Sequence, residues 1–277
     1  MLYDFVMTAL LQGLVLSLVA YGVMIPMRLL NFPDLTSEGA YPFAGAICAS
    51  LILLNIHPIL AVIIAVVASG IIGVCTAFIH LKLKVNTLLA GIIISTMLYS
   101  IDLRIMGKPN ISLYDKAVLF SGNDMAIKTL ILLSIIAIFI IPFYFFLYTE
   151  KGLRLRAVGL NPEFSKRQSI SVAKYTVLGL FIANCYTGLA GSLMVQLQNY
   201  MDIGMGVGIV IHALAALMIG ESIIGNQNLA RQLLAPFIGA LIYQQIQGFA
   251  INMGLAPSDL KFLTGAIVLS VIALRKA

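Results

Sequence analysis

Residues 149–174 read TEKGLRLRAVGLNPEFSKRQSISVAK, and this charged stretch separates two almost wholly apolar runs, Lys128–Tyr148 and Tyr175–Leu197. A helix that crosses the hydrocarbon core of a bilayer needs about 20 mostly apolar residues, which is the length of each flanking run. Apolar runs of this kind alternate with short polar stretches along the whole chain. The pattern predicts an all-α, polytopic membrane protein.

The composition of the chain excludes a soluble fold. Of its 277 residues, 61% are hydrophobic and 10% are charged, whereas roughly a quarter of the residues of a soluble domain are charged. The polar residues fall in short stretches, so a large domain outside the membrane is excluded as well. We therefore expect a single transmembrane domain over residues 1–277, which carries a cytoplasmic loop at residues 149–174.

Hydropathy predicts about nine membrane-spanning helices, within a range of eight to ten. The full-length candidates are Phe5–Leu30, Pro58–Leu81, Thr87–Met106, Lys128–Tyr148, Tyr175–Leu197 and Leu233–Met253. The shorter candidates are Gly39–Ile56, Val207–Ile224 and Asp259–Leu274. Short or interrupted helices are typical of transporters, which break their helices around a pathway.

Lysine and arginine near the helix ends predict the orientation of the chain, because cytoplasmic loops carry an excess of both. With the N-terminus outside, the inside face holds twelve basic residues and the outside face holds five. The C-terminus and the loop at residues 149–174 then lie in the cytoplasm. This bias also accounts for most of the net charge of +6, so the charge does not indicate nucleic-acid binding.

A short helix outside the bilayer is predicted inside the charged loop. Asn161 is a good N-cap, Pro162 suits the first helical position, and Glu163 complements the helix dipole. These residues predict a helix over Pro162–Gln168, on which Phe164 is an apolar residue among charged ones. Such a helix, tethered on both sides to membrane spans, can transmit force from a partner. The alternative is an ordinary cytoplasmic loop whose basic residues meet lipid headgroups.

The segment NFPDLTSEGA, residues 31–40, joins the first two predicted spans. Its proline and polar residues end the first helix, and a segment of small residues follows. Irregular backbone at membrane depth is tolerated only where it is buried in protein or lines a water-filled cavity. Asn31, Asp34 and Glu38 are therefore candidates for lining a pathway. The alternative for the two acids is a solvated cytoplasmic turn near Arg28.

Polar residues inside predicted spans are further candidates, because polar groups are expensive at that depth. Asn184 lies in the middle of one predicted span, and His212 lies in a short one. The alternative is that a neighbouring backbone carbonyl satisfies each side chain. Asp102 and Arg104 lie at the outer end of their span, where we expect them to pair at the membrane interface.

No motif for catalysis or metal binding occurs in the sequence. There is no GxxxxGK[ST] phosphate-binding loop and no GxSxG or HExxH pattern. The histidines His57, His80 and His212 are far apart, and the cysteines lie inside apolar runs at spacings that fit no metal site. We therefore expect no catalytic residue, no metal site and no cofactor in this chain. Energy for uphill transport would come from an ion gradient or from another polypeptide.

Four segments resemble a known family when they are taken in order along the chain. They are NFPDLTSEGAYPFAGA, GLRLRAVGLNPEFSKRQSISV, LFIANCYTGLAGSL and ALAALMIGESIIG, which begin at residues 31, 152, 180 and 213. Together they resemble the membrane permease subunits of ATP-binding cassette (ABC) importers of the branched-chain amino acid and ribose class. The first segment is similar to an FPDLT-type subgroup linked to aromatic amino acids. Ser169 and Glu221 depart from the family pattern and weaken only a substrate assignment.

The resemblance implies a type II-like ABC importer permease that is not itself an enzyme. Its short helix would be a coupling helix, which docks on a separate ATPase subunit that binds ATP and magnesium. The residues implied in that contact are Arg154, Arg156, Asn161, Pro162, Glu163, Phe164, Lys166 and Arg167. A second permease copy or a close paralogue would complete the pathway in the bacterial cytoplasmic (inner) membrane. An extracytoplasmic binding protein would deliver a small solute such as an amino acid.

Two other functions remain open from the residues alone. An ion-gradient-driven secondary transporter would use Asp34, Glu38 or His212 as a proton or sodium site, and it would act without an ATPase. A non-transport membrane protein, for assembly or lipid modification, would bind no solute. Neither function gives a task to the Asn161–Pro162 loop.

Overall fold

The computed structural model describes residues 2–122, 124–255 and 259–276, and most of these residues are helical. The helices in chain order are α1 (Leu2–Met24), α2 (Thr36–Leu53), α3 (Pro58–Leu83), α4 (Thr87–Met106), α5 (Met125–Tyr148), α6 (Glu150–Leu160), α7 (Pro162–Arg167), α8 (Val172–Gln198), α9 (Ile209–Ile224), α10 (Leu229–Asn252) and α11 (Leu260–Lys276). A π-helical turn at Ile25–Leu29 and a 3-10 turn at Ile203–Gly206 lie between them. The prediction of a helical polytopic protein is confirmed.

Seven helical segments among the described residues are long and apolar enough to cross a membrane. They are Asp4–Leu29, Pro58–Leu83, Thr87–Met106, Met125–Tyr148, Val172–Gln198, Ile203–Ile224 and Leu229–Asn252. The shorter helices α2 and α11, of 18 and 17 residues, are not among them. The predicted count of about nine spans is therefore not confirmed. The predicted cytoplasmic C-terminus ends at Ala277, which lies outside the described residues.

The chain divides into two compact units. The first comprises Met1–Tyr21, Gly122–Tyr144 and Val210–Ala277, and the second comprises Gly22–Ser121 and Phe145–Ile209. The second unit contains the charged loop and every predicted pathway residue except the histidine on α9. A single transmembrane domain over the whole chain stays a prediction.

Hydrogen bonds connect α1 and α10 within the first unit. The hydroxyl of Tyr21 donates a hydrogen bond to the backbone carbonyl of Leu233. Two polar side chains also pair nearer the N-terminus of α1, where Gln244 Nε2 donates a hydrogen bond to Gln12 Oε1 at 2.7 Å. Such hydrogen bonds between membrane helices satisfy polar groups that would otherwise lie unpaired among apolar neighbours.

Close packing of helix backbones places α8 at the centre of the second unit, against α2 and α3. A Cβ atom at Gly188 would overlap the side chain of Ser69, and one at Gly191 would overlap the carbonyl oxygen of Tyr41. Small residues of this kind allow membrane helices to approach until their backbones touch. The contact fixes the position of α2, whose first turn carries Glu38.

A short antiparallel ribbon joins the ends of two helices in the second unit. Strand β1 (Asn110–Ser112) follows α4, strand β2 (Tyr200–Asp202) follows α8, and Ile111 lies opposite Met201. The pairing places the C-terminal ends of α4 and α8 on the same side. The orientation predicted from the basic residues makes that side the outer one.

The first span ends in a break rather than in a regular cap. The π-helical turn follows α1 directly and contains Pro26, which lacks the backbone N–H that a regular helix needs. Asn31 then adopts a left-handed conformation with φ of 50°, and residues 31–35 are irregular up to the start of α2. The interruption predicted between the first two spans is therefore present.

Candidate functional site

The charged loop at residues 149–174 folds into two helices, α6 and α7. Asn161 caps α7, since its Oδ1 accepts a hydrogen bond from the backbone N–H of Phe164 at 3.0 Å. Pro162 occupies the first helical position, where the missing N–H is not needed. The short helix starts where the sequence predicts and ends at Arg167 rather than at Gln168.

The surface of α7 combines an apolar side chain with charges of both signs. Phe164 is 58% exposed. The Nζ atom of Lys166 lies 2.7 Å from Oε1 of Glu163, and this ammonium lowers the pKa of the Glu163 carboxyl. Arg154 pairs with Glu150 on α6 in the same way. An exposed aromatic residue among ordered charges is typical of a surface that binds a protein.

The other residues predicted to contact an ATPase lie on the same stretch. Asn161, Pro162 and Arg167 are exposed, whereas Arg156 is half-buried on α6. Ser165 is fully buried, so the opposite side of α7 faces the protein. The contact itself stays a prediction.

The helix α6 packs directly on the break in the first span. A Cβ atom at Gly159 would overlap the carbonyl oxygen of Leu29, so only glycine fits at this position. Leu155 on the same helix is fully buried, and the side chain of Leu30 fills the space that a Cβ at Gly179 would need. The loop that carries α7 is thus held against the membrane helices beside residues 31–35.

Asp34 is fully buried, so the interpretation as a solvated turn is wrong for this residue. Its Oδ1 accepts hydrogen bonds from the hydroxyl of Thr36 and from the backbone N–H of Thr36, the latter at 2.8 Å. The Thr36 hydroxyl also lies 2.8 Å from that of Thr76 on α3. The second carboxylate oxygen, Oδ2, has no hydrogen-bond partner among the described residues. One oxygen therefore fixes the irregular segment, and the other stays open.

Asn184 lies close to the Asp34 carboxylate and is fully buried on α8. Its Nδ2 donates a hydrogen bond to the carbonyl of Leu180 at 3.0 Å, which is the backbone partner that the alternative interpretation expects. No described residue forms a hydrogen bond with its Oδ1. Asp34 Oδ2 and Asn184 Oδ1 thus lie in one buried place, and neither has a well-aligned donor among the described residues, so a proton or a cation would fit between them.

Asn31 and His212, two further pathway candidates, have surroundings of their own. Asn31 is exposed at the helix break. His212 is half-buried on α9, and its ring centre lies 5.9 Å from that of Tyr243. His212 belongs to the first unit, whereas Asp34 and Asn184 belong to the second.

A cavity of about 430 Å³ lies between the first turns of α2, one face of α4 and the residues before α9. Its polar lining residues are Glu38, Ser95, Thr96, Tyr99 and Asp102. Glu38 is fixed at the wall because its Oε1 accepts a hydrogen bond from the backbone N–H of Gly208 at 2.8 Å. Among the predicted pathway residues, Glu38 is the one that lines this cavity.

Asp102 is fully buried, and neither of its carboxylate oxygens has a hydrogen-bond partner within the described part of the chain. Arg104 is exposed and lies two positions further along α4. Residues two apart on a helix do not face each other. The predicted interface pair of Asp102 with Arg104 is therefore wrong.

The sequence did contain a signal for this wall of the cavity. Ser95, Tyr99 and Asp102 follow one another at spacings of four and three, so they lie on one face of α4. A polar stripe along an otherwise apolar membrane helix indicates a lining surface. Each residue taken alone carries no such information, because single hydroxyls and acids also occur at helix ends.

The chain matches the protein family described as branched-chain amino acid transport system / permease component over residues 5–272. A tyrosine transport system permease protein of Clostridioides difficile (strain R20291) is 34% identical over 97% of this chain and 90% of its own length. A ribose import permease protein of Escherichia coli (strain K12) is 25% identical over 76% of this chain and 66% of its own length. A nucleoside ABC transporter permease protein of Lactococcus lactis subsp. cremoris is 27% identical over 70% of this chain and 50% of its own length. No solved structure matches the chain.

The family match runs through every element of the second unit and almost all of the first. It joins a chain with several apolar spanning helices to relatives that are permease components. The chain therefore belongs to the branched-chain amino acid permease family, as a multi-pass membrane component of an ABC transport system.

Proposed function

We propose that this chain forms one half of a dimeric pathway that imports an amino acid across the bacterial cytoplasmic membrane. A soluble binding protein delivers the amino acid from outside. A separate ATPase subunit hydrolyses ATP with magnesium and drives the cycle. The second half of the pathway is another copy of this chain or a close paralogue.

The observation that carries the proposal is the exposed helix α7. Phe164 and Glu163 project from the protein on this helix, and Gly159 holds the preceding helix against Leu29. A partner that displaces α7 therefore also displaces the break in the first span. Closure of ATPase subunits around ATP would push on this surface and change the side to which the pathway opens.

The substrate class rests on the relatives. The tyrosine permease is similar along nearly the whole chain, whereas the nucleoside and ribose permeases are less similar and match over less of it. An amino acid is therefore the proposed solute. L-tyrosine is the first one to test.

The proposed orientation puts the loop at residues 149–174 and the C-terminus in the cytoplasm. Six basic residues of that loop support it, since such residues accumulate on the cytoplasmic side. The whole chain then acts as one transmembrane domain.

Co-purification from native membranes tests the proposal. A tagged chain is extracted in mild detergent, and an ATP-binding subunit is expected in equal amount. Glu163→Cys, in a background without the exposed Cys75, is expected to form a thiol cross-link to that subunit. Tyr114→Cys is the control, because Tyr114 is 74% exposed and follows β1 rather than α7. A chain that purifies alone, or equal cross-linking at both positions, contradicts the proposal.

A gradient-driven carrier is the second candidate, favoured by the open oxygens of Asp34 and Asn184. Such a carrier moves its solute without an ATPase and stops when an ionophore collapses the gradient. Uptake into vesicles that contain the purified chain alone separates the two. An ABC permease is expected to show no uptake in that preparation, because the ATPase subunit is missing.

A further inference from the structure

The cavity between α2, α4 and the residues before α9 is acidic. Its described lining includes two carboxylates, Glu38 and Asp102, and no lysine, arginine or histidine. The remainder of the wall is mainly apolar and includes Leu35, Pro42 and Ile92. A cavity with two acids and no base attracts a cation and repels an anion.

The hydroxyl groups of Ser95 and Thr96 in the wall add acceptors rather than donors. Ser95 Oγ lies 2.9 Å from the carbonyl oxygens of both Leu35 and Gly91, so its proton is directed to backbone. Thr96 Oγ1 lies 2.8 Å from the carbonyl of Ile93 and 3.0 Å from that of Ile92. A hydroxyl that donates to the backbone offers only its lone pairs to a ligand. The ligand that fits these groups is therefore a donor.

Asp102 provides the second observation that points to a ligand. Its side chain is fully buried at the cavity wall, and among the residues that the structure describes neither oxygen has a hydrogen-bond partner. A buried carboxyl group is stable in its charged form only when it is paired or binds a cation. The described residues around Asp102 supply no such partner, whereas a cationic group that enters the cavity would.

We propose that this cavity binds the ammonium group of the transported solute, with Asp102 and Glu38 as its two carboxylate partners. An ammonium carries three donors and no acceptor, which matches the two acids and the Ser95 hydroxyl. The proposal rests on the proposed transport of an amino acid and identifies the part of the solute that the permease recognises.

The size and apolar wall of the cavity fit the rest of such a solute. A volume of about 430 Å³ lies in the range of small-molecule sites, about 300–1,000 Å³. Leu35, Pro42 and Ile203 offer apolar surface to a side chain. Since no basic residue lines the described wall, the carboxylate of an amino acid is not recognised here.

Protection of an introduced cysteine tests the proposal on the full chain in lipid nanodiscs. Ile92→Cys places a thiol on the wall in a background without Cys75, and a cationic methanethiosulfonate reagent modifies it. L-tyrosine and tyramine, which both carry the ammonium, are expected to slow modification several-fold. The analogue 3-(4-hydroxyphenyl)propanoate, which lacks it, is expected to have no effect. Equal protection by all three, or protection by none, overturns the proposal.

The charge of Asp102 is tested by comparing reagents of opposite sign. With Asp102 present, the cationic reagent is expected to react at Ile92→Cys about tenfold faster than an anionic one, since a fixed charge concentrates counter-ions in a cleft. Asp102→Asn is expected to remove this preference and the protection by tyramine. Tyr114→Cys, outside the cavity, is expected to show neither. An unchanged preference in Asp102→Asn overturns the proposal, and the native-Asp102 protection series decides the matter if that variant does not fold.

This measurement needs neither the ATPase nor the binding protein. Failure of co-purification with retained ammonium protection rejects the proposed assembly with an ATPase subunit and keeps the site. Stoichiometric co-purification without protection supports the assembly with an ATPase and rejects the ammonium site.

Discussion

The Glu38 carboxylate accepts a hydrogen bond from the backbone N–H of Gly208 at 2.8 Å, across 170 positions of sequence. The bond joins the first turn of α2 to the residue before α9. A Cβ atom at the neighbouring Gly206 would overlap the carbonyl oxygen of Glu38, so the two segments also touch through their backbones. The shape of this wall of the acidic cavity therefore depends on Gly206 and Gly208, which are distant from Glu38 in the sequence.

Gly208→Ala is expected to lower the free energy of unfolding by about 1–2 kcal/mol, because φ at this position is +82° and a left-handed conformation disfavours a Cβ atom. Thermal unfolding in detergent measures the change. Gly265→Ala is the control, since a Cβ there meets open space on a helix, and it is expected to be neutral or to stabilise. Equal effects of the two variants would contradict this account of Gly208.

Asp34→Ala is expected to lower the free energy of unfolding by about 1–3 kcal/mol, since the N–H and hydroxyl of Thr36 lose their buried acceptor. Asp34→Asn keeps an oxygen for Thr36 and adds an amide donor near the open Oδ1 of Asn184. It is therefore expected to match or exceed the native stability. Thermal unfolding of both variants beside the native chain decides this, and an alanine variant of native stability contradicts it.

Transport by Asp34→Asn separates the two candidate functions. An ATP-driven permease is expected to retain uptake in this variant, because the structural role of the side chain is preserved. A carrier that binds a proton or sodium at Asp34 loses uptake with the charge. Uptake in vesicles that contain the assembled transporter provides the measurement.

Glu163→Arg and Phe164→Ala are each expected to uncouple ATP hydrolysis from uptake without unfolding the permease. The side chain of Glu163 is 75% exposed, and exposed ion pairs contribute little to stability. ATPase activity and uptake are measured on the same preparation. Tyr114→Ala, which removes an even more exposed aromatic ring away from α7, is expected to leave both unchanged. Native uptake in both α7 variants sinks the assignment of the coupling helix.

Gly159→Ala is expected to impair uptake as strongly as a change on α7 itself, because its Cβ would overlap the carbonyl oxygen of Leu29. Steric overlap between backbones forces α6 away from the helix break. Leu160→Ala is the matched change, since Leu160 is 85% exposed on the same helix. Uptake and thermal unfolding are measured for both. The account of this contact fails if the glycine variant behaves like the leucine variant.

Local chemistry explains what the sequence predicts well. Asn161 and Pro162 specify the start of α7. Asn161 caps the helix through a hydrogen bond to a residue only three positions away, and Pro162 has a fixed φ that suits the first helical position. The helix ends one residue early because no comparably strong signal marks its end. The apolar spans follow in the same way from their own composition.

Long-range pairing explains what the sequence does not predict. Asp34 lies in a polar segment that reads as a turn, and its burial comes from Thr76 on α3 and Asn184 on α8. The sequence suggests a pair of Asp102 with its neighbour Arg104, although the surroundings of Asp102 come from α2 and the turn before α9. The strands β1 and β2 have three residues each, which is too short for an alternating pattern to be visible.

The contact between Gly159 and Leu29 has a pharmacological consequence. Because α6 packs directly against the end of the first span, a molecule that binds α7 from the cytoplasm also restricts the backbone that leads to Asp34. An antibody fragment or peptide against the Phe164 surface would then arrest the cycle without occupying the solute cavity. Its potency would be independent of solute concentration, which is the behaviour of a non-competitive inhibitor.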